Sequence, residues 1–145
     1  MTIRQATKND LDDFAPLFDG YRIFYKQTSN LTATKAFLNQ RLSKNDSVIF
    51  LAYKAEKAVG FTQLYPLFSS VSMQPMYLLN DLFIDSNYRN QGIGEALITA
   101  AKDLCRQEKQ KGLAIQTAVD NPAQQLYQRL GFVKDTDLHF FWSTA

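Results

Sequence analysis

The chain has a single cysteine, Cys105, and a single histidine, His139, among its 145 residues. One thiol excludes an internal disulfide and fits a reducing compartment, the cytoplasm. One imidazole argues against a histidine-rich metal site, and no metal is expected. Excess charge is also scarce. The net charge is only +2 and no basic run exceeds two residues, which argues against nucleic acid and membrane surfaces as partners. No apolar run approaches the ~20 residues needed to cross a bilayer. The opening "MTIRQATKND" lacks the apolar core of a signal peptide. Low-complexity segments and internal repeats are missing. What is present is an ordinary globular composition, 46% hydrophobic and 21% charged. The length suits one domain, 1–145, with a real core.

Along the chain the elements alternate. "TIRQA" reads as a short strand. Asn9 or Asp10 is a candidate cap for the helix in "DLDDFAPLFDGYRIFYK", where Leu11, Phe14, Leu17 and Phe18 recur at helical spacing. Pro16 is awkward inside it and is expected to kink it. A second helix spans Thr32 to Leu42. Three strands come next: "SVIFLAYK", "AVGFTQLYP" and "MYLLNDLFID". "KAEK" makes a hairpin between the first two, and "FSSVSMQP" a longer polar connection before the third. From Gly94 a helical stripe runs through Leu97, Ala100, Leu104 and Cys105, and ends by Gly112. "LAIQTAV" is a strand and "PAQQLYQRL" a helix stopped by Gly131. "FVKD" and "LHFFWS" make a final strand pair. The predicted order is β-α-α-β-β-β-α-β-α-β-β. That implies an α/β (α+β) fold, a mixed sheet with helices on both faces.

The most informative stretch is "YRNQGIGEAL", residues 88–97, between a strand and a helix. A helix N-terminus offers free N–H groups and a positive dipole end, and glycine lets the backbone approach a ligand. Together these make a phosphate cradle. The spacing is not a dinucleotide fingerprint, because Leu97 stands where its third glycine belongs. It is not a P-loop either, because Gly94 is followed by Glu95 and Ala96. What stands is R-x-x-G-x-G, from Arg89 to Gly94. An ordinary glycine-rich turn over a core helix remains the competing reading of the glycines alone.

This motif resembles the pyrophosphate loop of the GCN5-related N-acetyltransferase (GNAT) family, Q/R-x-x-G-x-G/A. "LYQRLGF", residues 126–132, resembles that family's "LYxKLGF" helix end, and the two motifs stand at the family's usual separation. The resemblance is nearest to small single-domain members of polyamine or histone type. It implies a GNAT fold and acetyl-CoA (coenzyme A) as acetyl donor. It further implies that Leu82, Phe83 and Ile84 offer backbone to the pantetheine arm. The N–H groups of Asn90, Gln91, Gly92, Ile93, Gly94 and Glu95 would hold the pyrophosphate. The Arg89 side chain either reaches a phosphate or is solvated.

Tyr127 falls where the family has its general acid for the leaving thiolate. The family asparagine that bonds the pantetheine lies seven residues before that tyrosine. Here Asp120 is at seven and Asn121 at six, and Asn121 is the favoured counterpart, with Pro122 in the first helical turn. Asn80 and Asp81 fall where relatives carry an amine-activating glutamate. Asp81 can be a base, a counter-charge or a structural hydrogen-bonder. Tyr21, Phe24 and Tyr25 are candidates to bind the acceptor, since aromatic faces suit ammonium groups. They also sit at core spacing. In the family the first helices and the last hairpin wall this cleft. His139 and Trp142 receive no role, and Cys105 is expected in the packing.

The expected function is therefore direct acetyl transfer to a primary amine of a small molecule. A protein lysine or N-terminal acetyltransferase is the alternative enzyme. A non-catalytic acyl-CoA-binding module is the alternative outside catalysis. A homodimer is compatible with all three.

Overall fold

The computed structural model describes residues 1–144. Strand β1 (Thr2–Gln5) leads into a short 3-10 turn and helix α1 (Leu11–Phe24), then α2 (Leu31–Lys44). Three antiparallel strands come after them, β2 (Val48–Lys54), β3 (Lys57–Ser69) and β4 (Gln74–Ile84). Then come α3 (Ile93–Gln107), the short strand β5 (Leu113–Ile115) and α4 (Gln124–Arg129). The sheet order is β1-β2-β3-β4-β5, with only the β4–β5 pair parallel.

Period-two alternation sorts the strand side chains onto two faces. Ile49, Leu51 and Phe61 face α1 and α2, packing with Phe14, Phe18 and Leu38. Leu64, Tyr77 and Leu79 face α3, where Ile98, Ala101 and Cys105 complete a second cluster. Ala52, Val59, Ile93 and Leu97 form a third beside it. Phe61 is fully buried and meets the Phe14 ring at 5.0 Å and the Phe18 ring at 5.4 Å. Its truncation to alanine would cost about 3–5 kcal/mol.

Several expectations are corrected. Asp10 stands at the N-cap position of α1, as expected, but gives it no side-chain cap bond, and the preceding 3-10 turn is entered through Thr7. Thr7 and Asp10 form a reciprocal capping box over the 3-10 turn. Asp10 is instead committed to Arg4, Tyr53 and the Thr7 N–H. The expected long connection "FSSVSMQP" is shortened to a four-residue turn, 70–73, because β3 and β4 pair out to Ser69 opposite Gln74. α3 ends at Gln107, before Gly112, with Lys109 in a left-handed conformation. β5 stops at Ile115 rather than running to Val119.

The final strand pair is not formed. Among the described residues, 132–144 carry no strand or helix. β-Strand propensity at "LHFFWS" is high, but a strand needs a partner edge, and these side chains lie in solvent.

Candidate active site

The key local feature is a register shift in β4. Gln63 of β3 opposes Asp81, and the next β3 residue, Leu64, opposes Leu79. Asn80 is thus an extra residue, a β-bulge, and a bulge re-aims the side chains beyond it. Leu79 faces α3. Without the bulge Asp81 would face α3 too. With it, Asp81 turns to the α1 face, while Leu82 and Ile84 pack on the α3 side. The pairing with β5 also ends at Leu79. Past the bulge, from Asn80 to Ile84, the β5-facing edge of β4 has no strand partner among the described residues.

Asp81 is buried and receives three hydrogen bonds. The Tyr21 hydroxyl donates to Oδ1 at 2.7 Å, Asn80 Nδ2 donates to Oδ1 at 3.1 Å, and Gln63 Nε2 donates to Oδ2 at 2.7 Å. Gln63 is itself held by the Ser47 hydroxyl, which donates to its Oε1 at 2.9 Å. Both carboxylate oxygens are therefore occupied. Burial, then the Asp81 charge, pushes the Tyr21 phenol far above its ordinary range, so it stays protonated. The Tyr65 phenol is pushed up to about 12 by the same two causes.

Around this network stands an aromatic wall. Tyr21 lies 5.0 Å from Tyr25 and 5.6 Å from Phe83, ring to ring. Phe24 reaches Phe83 at 6.1 Å. Phe24 and Tyr25 are more than half exposed, so they lie outside the core. Arg89 lays its guanidinium 5.6 Å from the Phe24 ring centre and 5.8 Å from that of Phe83, while its Nε donates to the Ile84 carbonyl. Here Arg89 is turned to the aromatic wall.

Asn90 and Gly92 both take positive φ, at 61° and 78°. This double left-handed turn delivers the chain into α3. The first intrahelical bond runs from Ala96 N to Gly92 O, and Gly92 supplies no side-chain cap. The N–H groups of Ile93, Gly94 and Glu95 therefore lack intrahelical acceptors and point off the helix end. A Cβ added at Gly94 would come no nearer than 3.9 Å to protein, at Leu126 of α4. Packing within the chain does not demand glycine there, whereas a ligand lying against the backbone would. The residues present thus fit a diphosphate. Gln91 accepts from Lys54 Nζ, and Glu95 pairs with Arg129 at 3.2 Å.

Tyr127 sits on α4, half-buried, 6.2 Å from Phe132. Burial raises its phenol pKa, and Tyr25 adds to the effect. Asn121 does not cap α4 directly, since the helix begins at Gln124. Its Oδ1 accepts from Ala123 N at 2.9 Å and its Nδ2 donates to Thr117 at 2.7 Å. Both ends of that amide are spent on the turn. Asp120 is exposed. The sequence reading missed Gln63 and Tyr65. The available signal was a glutamine inside the otherwise apolar strand "AVGFTQLYP".

Among the described residues no cluster of His, Cys, Asp or Glu could hold a metal ion, and no helix is long and apolar enough to cross a membrane.

A strand that parts from its neighbour and a glycine turn that bares a helix N-terminus fit what the resemblance to acetyl-CoA-dependent transferases implies. The model of the acetyltransferase (GNAT) family matches residues 11–132, and the chain belongs to that family. It is 47% identical over 137 residues to an uncharacterized N-acetyltransferase, YhfO, of Bacillus subtilis, covering 94% of this chain and 92% of that protein. A crystal structure of a probable acetyltransferase superposes with a TM-score of 0.92 at 37% identity, over 100% of this chain and 98% of that one. An aminoglycoside acetyltransferase from a soil metagenome, solved in complex with sisomicin, gives a TM-score of 0.86 at 25% identity, over 99% and 96%. The protein is an N-acetyltransferase, and its acetyl donor is acetyl-CoA.

Proposed function

We propose that the acceptor is the primary amine of a small cationic molecule, acetylated by direct transfer. The observation that carries this is the buried Asp81 carboxylate, which accepts from the Tyr21 hydroxyl beside the aromatic cluster of Tyr21, Phe24, Tyr25 and Phe83. Aromatic faces and a nearby negative charge both favour an ammonium. The small-molecule acceptor of the aminoglycoside relative is compatible with this reading.

Acetyl-CoA supplies an acyl group already activated as a thioester. The N–H groups from Asn90 to Glu95 hold its diphosphate, and the free β4 edge at Leu82, Phe83 and Ile84 bonds its pantetheine arm. Asn121 contributes by fixing the turn into α4. Tyr21, Phe24 and Tyr25 hold the acceptor, and Asn80 flanks it on the exposed side of the bulge. The ammonium first releases one proton to solvent, and the Tyr21 oxygen would take the second as the neutral nitrogen commits its lone pair to the carbonyl. Tyr21 passes its own proton to Asp81 Oδ1 in the same movement, so no phenolate forms. This fits a phenol whose own ionisation is strongly disfavoured. Tyr127, likewise kept protonated, would donate to the departing sulfur and regain its proton from solvent as products leave.

The test is thiol release from acetyl-CoA across a panel of diamines, polyamines, aminoglycosides and lysine or N-terminal peptides. Turnover on the small polycations is expected. Turnover confined to peptides would reject the small-molecule reading.

A further inference from the structure

Gln63 is fully buried in the middle of β3, and a buried amide is costly unless both of its ends are bonded. Both are. Its Nε2 donates to Asp81 Oδ2 at 2.7 Å, and its Oε1 accepts from the buried Ser47 hydroxyl at 2.9 Å. The partners come from separate pieces of the chain, since Ser47 precedes β2, Gln63 lies in β3 and Asp81 in β4. Turning the amide over would set Oε1 against Oδ2, acceptor against acceptor. Carboxylate and hydroxyl together therefore hold it one way round. The Thr62 hydroxyl, also fully buried, donates to the Asp81 carbonyl at 2.8 Å. Thr62 thus pins the Asp81 backbone, and Gln63 pins its carboxylate.

The donors to that carboxylate are all neutral, but they differ in what stands behind them. On Oδ1, Asn80 is exposed at the bulge and Tyr21 belongs to the aromatic wall. On Oδ2, Gln63 is anchored from inside the sheet. We infer that Gln63, oriented by Ser47, is a positioning residue for acetyl transfer: it occupies Oδ2 and so keeps Oδ1 turned to the Tyr21 hydroxyl. This rests on the proton path proposed above, in which Oδ1 receives the Tyr21 proton. Without the Gln63 bond the carboxylate can swing about its Cβ–Cγ bond, because such a torsion is broad. Tyr21 would then meet its acceptor at a poorer angle, and hydrogen bonds weaken steeply away from linear geometry. The amide also sets the direction of proton flow. Gln63 and Asn80 both present N–H to Asp81 and no lone pair, so neither can take the proton away. Asp81 Oδ1 hands it back to the Tyr21 oxygen as that hydroxyl releases the amine-derived proton to water.

Steady-state kinetics on the full chain tests this, with acetyl-CoA and whichever amine of the panel above the parent turns over fastest. Gln63→Met keeps the length of the side chain and removes its amide. Its kcat is expected to fall roughly tenfold, with acceptor KM and coenzyme A affinity unchanged. Ser47→Ala frees the amide and should lose about threefold in kcat, which Ser47→Thr recovers by restoring the hydroxyl. Ser47 borders a cavity of about 350 Å³, so the added methyl has room. In a Tyr21→Phe background Gln63→Met should lower kcat no further, whereas a merely structural role would repeat its loss there. Parent kcat in Gln63→Met or in Ser47→Ala overturns the inference. So does a loss that recurs in full in the Tyr21→Phe background, or a Ser47→Thr as slow as Ser47→Ala. The Ser47 pair decides alone if Gln63→Met does not fold. Asp81→Asn, measured beside them, separates the two readings. Parent kcat there sinks the proton path and the inference with it. A loss of roughly 10²-fold there, with Gln63→Met and Ser47→Ala at the parent rate, sinks the inference alone.

Discussion

If Tyr21 and Asp81 act as one proton path, then removing either should cost the same, and removing both should cost no more. Tyr21→Phe deletes one oxygen and keeps the ring, whose contacts to Phe18, Phe61 and Phe83 lie at 5.4–5.8 Å. Asp81 loses one of three donors but retains Gln63 and Asn80. A hydrogen bond to a charged group contributes about 1.5–3 kcal/mol, so a stability loss near the lower end is expected, since the cleft can admit water. Asp81→Asn leaves one acceptor oxygen facing three donors. The Gln63 amide can turn over, donating to Ser47 and accepting from the new amide, which limits the damage to about 1–3 kcal/mol. For catalysis each single variant should lose roughly 10²-fold in kcat, close to 3 kcal/mol of barrier. Thiol release with saturating acceptor measures kcat, and melting in parallel measures stability. The double variant should fall no further than the singles. Losses that multiply in the double variant would refute the shared path. A raised KM with unchanged kcat would make the pair a counter-charge for the ammonium instead. A lowered Tm with both constants intact would leave Asp81 purely structural.

Gly94→Val should fold normally, because the nearest protein atom stands 3.9 Å from the new Cβ, yet lose coenzyme A binding by calorimetric titration; unchanged affinity would reject the cradle. Tyr127→Phe should keep coenzyme A affinity and lower kcat by roughly 10²-fold, and wild-type turnover would return Tyr127 to simple packing. Burial, then the Asp10 hydrogen bond at Tyr53 and the Asp81 charge at Tyr65, push both phenols up to about 12 from an ordinary 10. The folded state holds these protons more tightly, so their stabilisation is complete below pH 10 and declines as pH rises toward 12. Melting temperature against pH should fall across that window, with a shallower fall in Tyr53→Phe/Tyr65→Phe.

Much of this was legible in the residues because the signals were local. The α3 stripe, the glycine turn and the helix ended by Gly131 all derive from spacing and backbone freedom. Tyr21 and Asp81 were each singled out, but their meeting was not visible. They lie 60 positions apart and touch only because β4 carries an extra residue. A bulge leaves no composition signature, so the facing of Asp81 could not be read from alternation. The final strand pair expected at "FVKD" and "LHFFWS" is not formed, because strand propensity says nothing of whether an edge in the same chain receives it. Asn121 was placed at the turn into α4, though its amide is spent on Thr117 and Ala123, which spacing cannot reveal.

The bulge at Asn80 makes β4 two half-strands in opposite phase. The upstream half is set by the hairpin with β3, and the downstream half carries both Asp81 and the run into the glycine turn. Acceptor side and donor side therefore share one reading frame. At this point the number of residues is held more tightly than their identity. Asn80 is exposed, so Asn80→Ser should leave the fold intact, as circular dichroism and melting would check. Deleting it would turn Asp81 into the apolar face against α3 and Leu82 toward Tyr21. Relatives of this chain are then free to vary the side chain at that step, but not to shorten the strand by one.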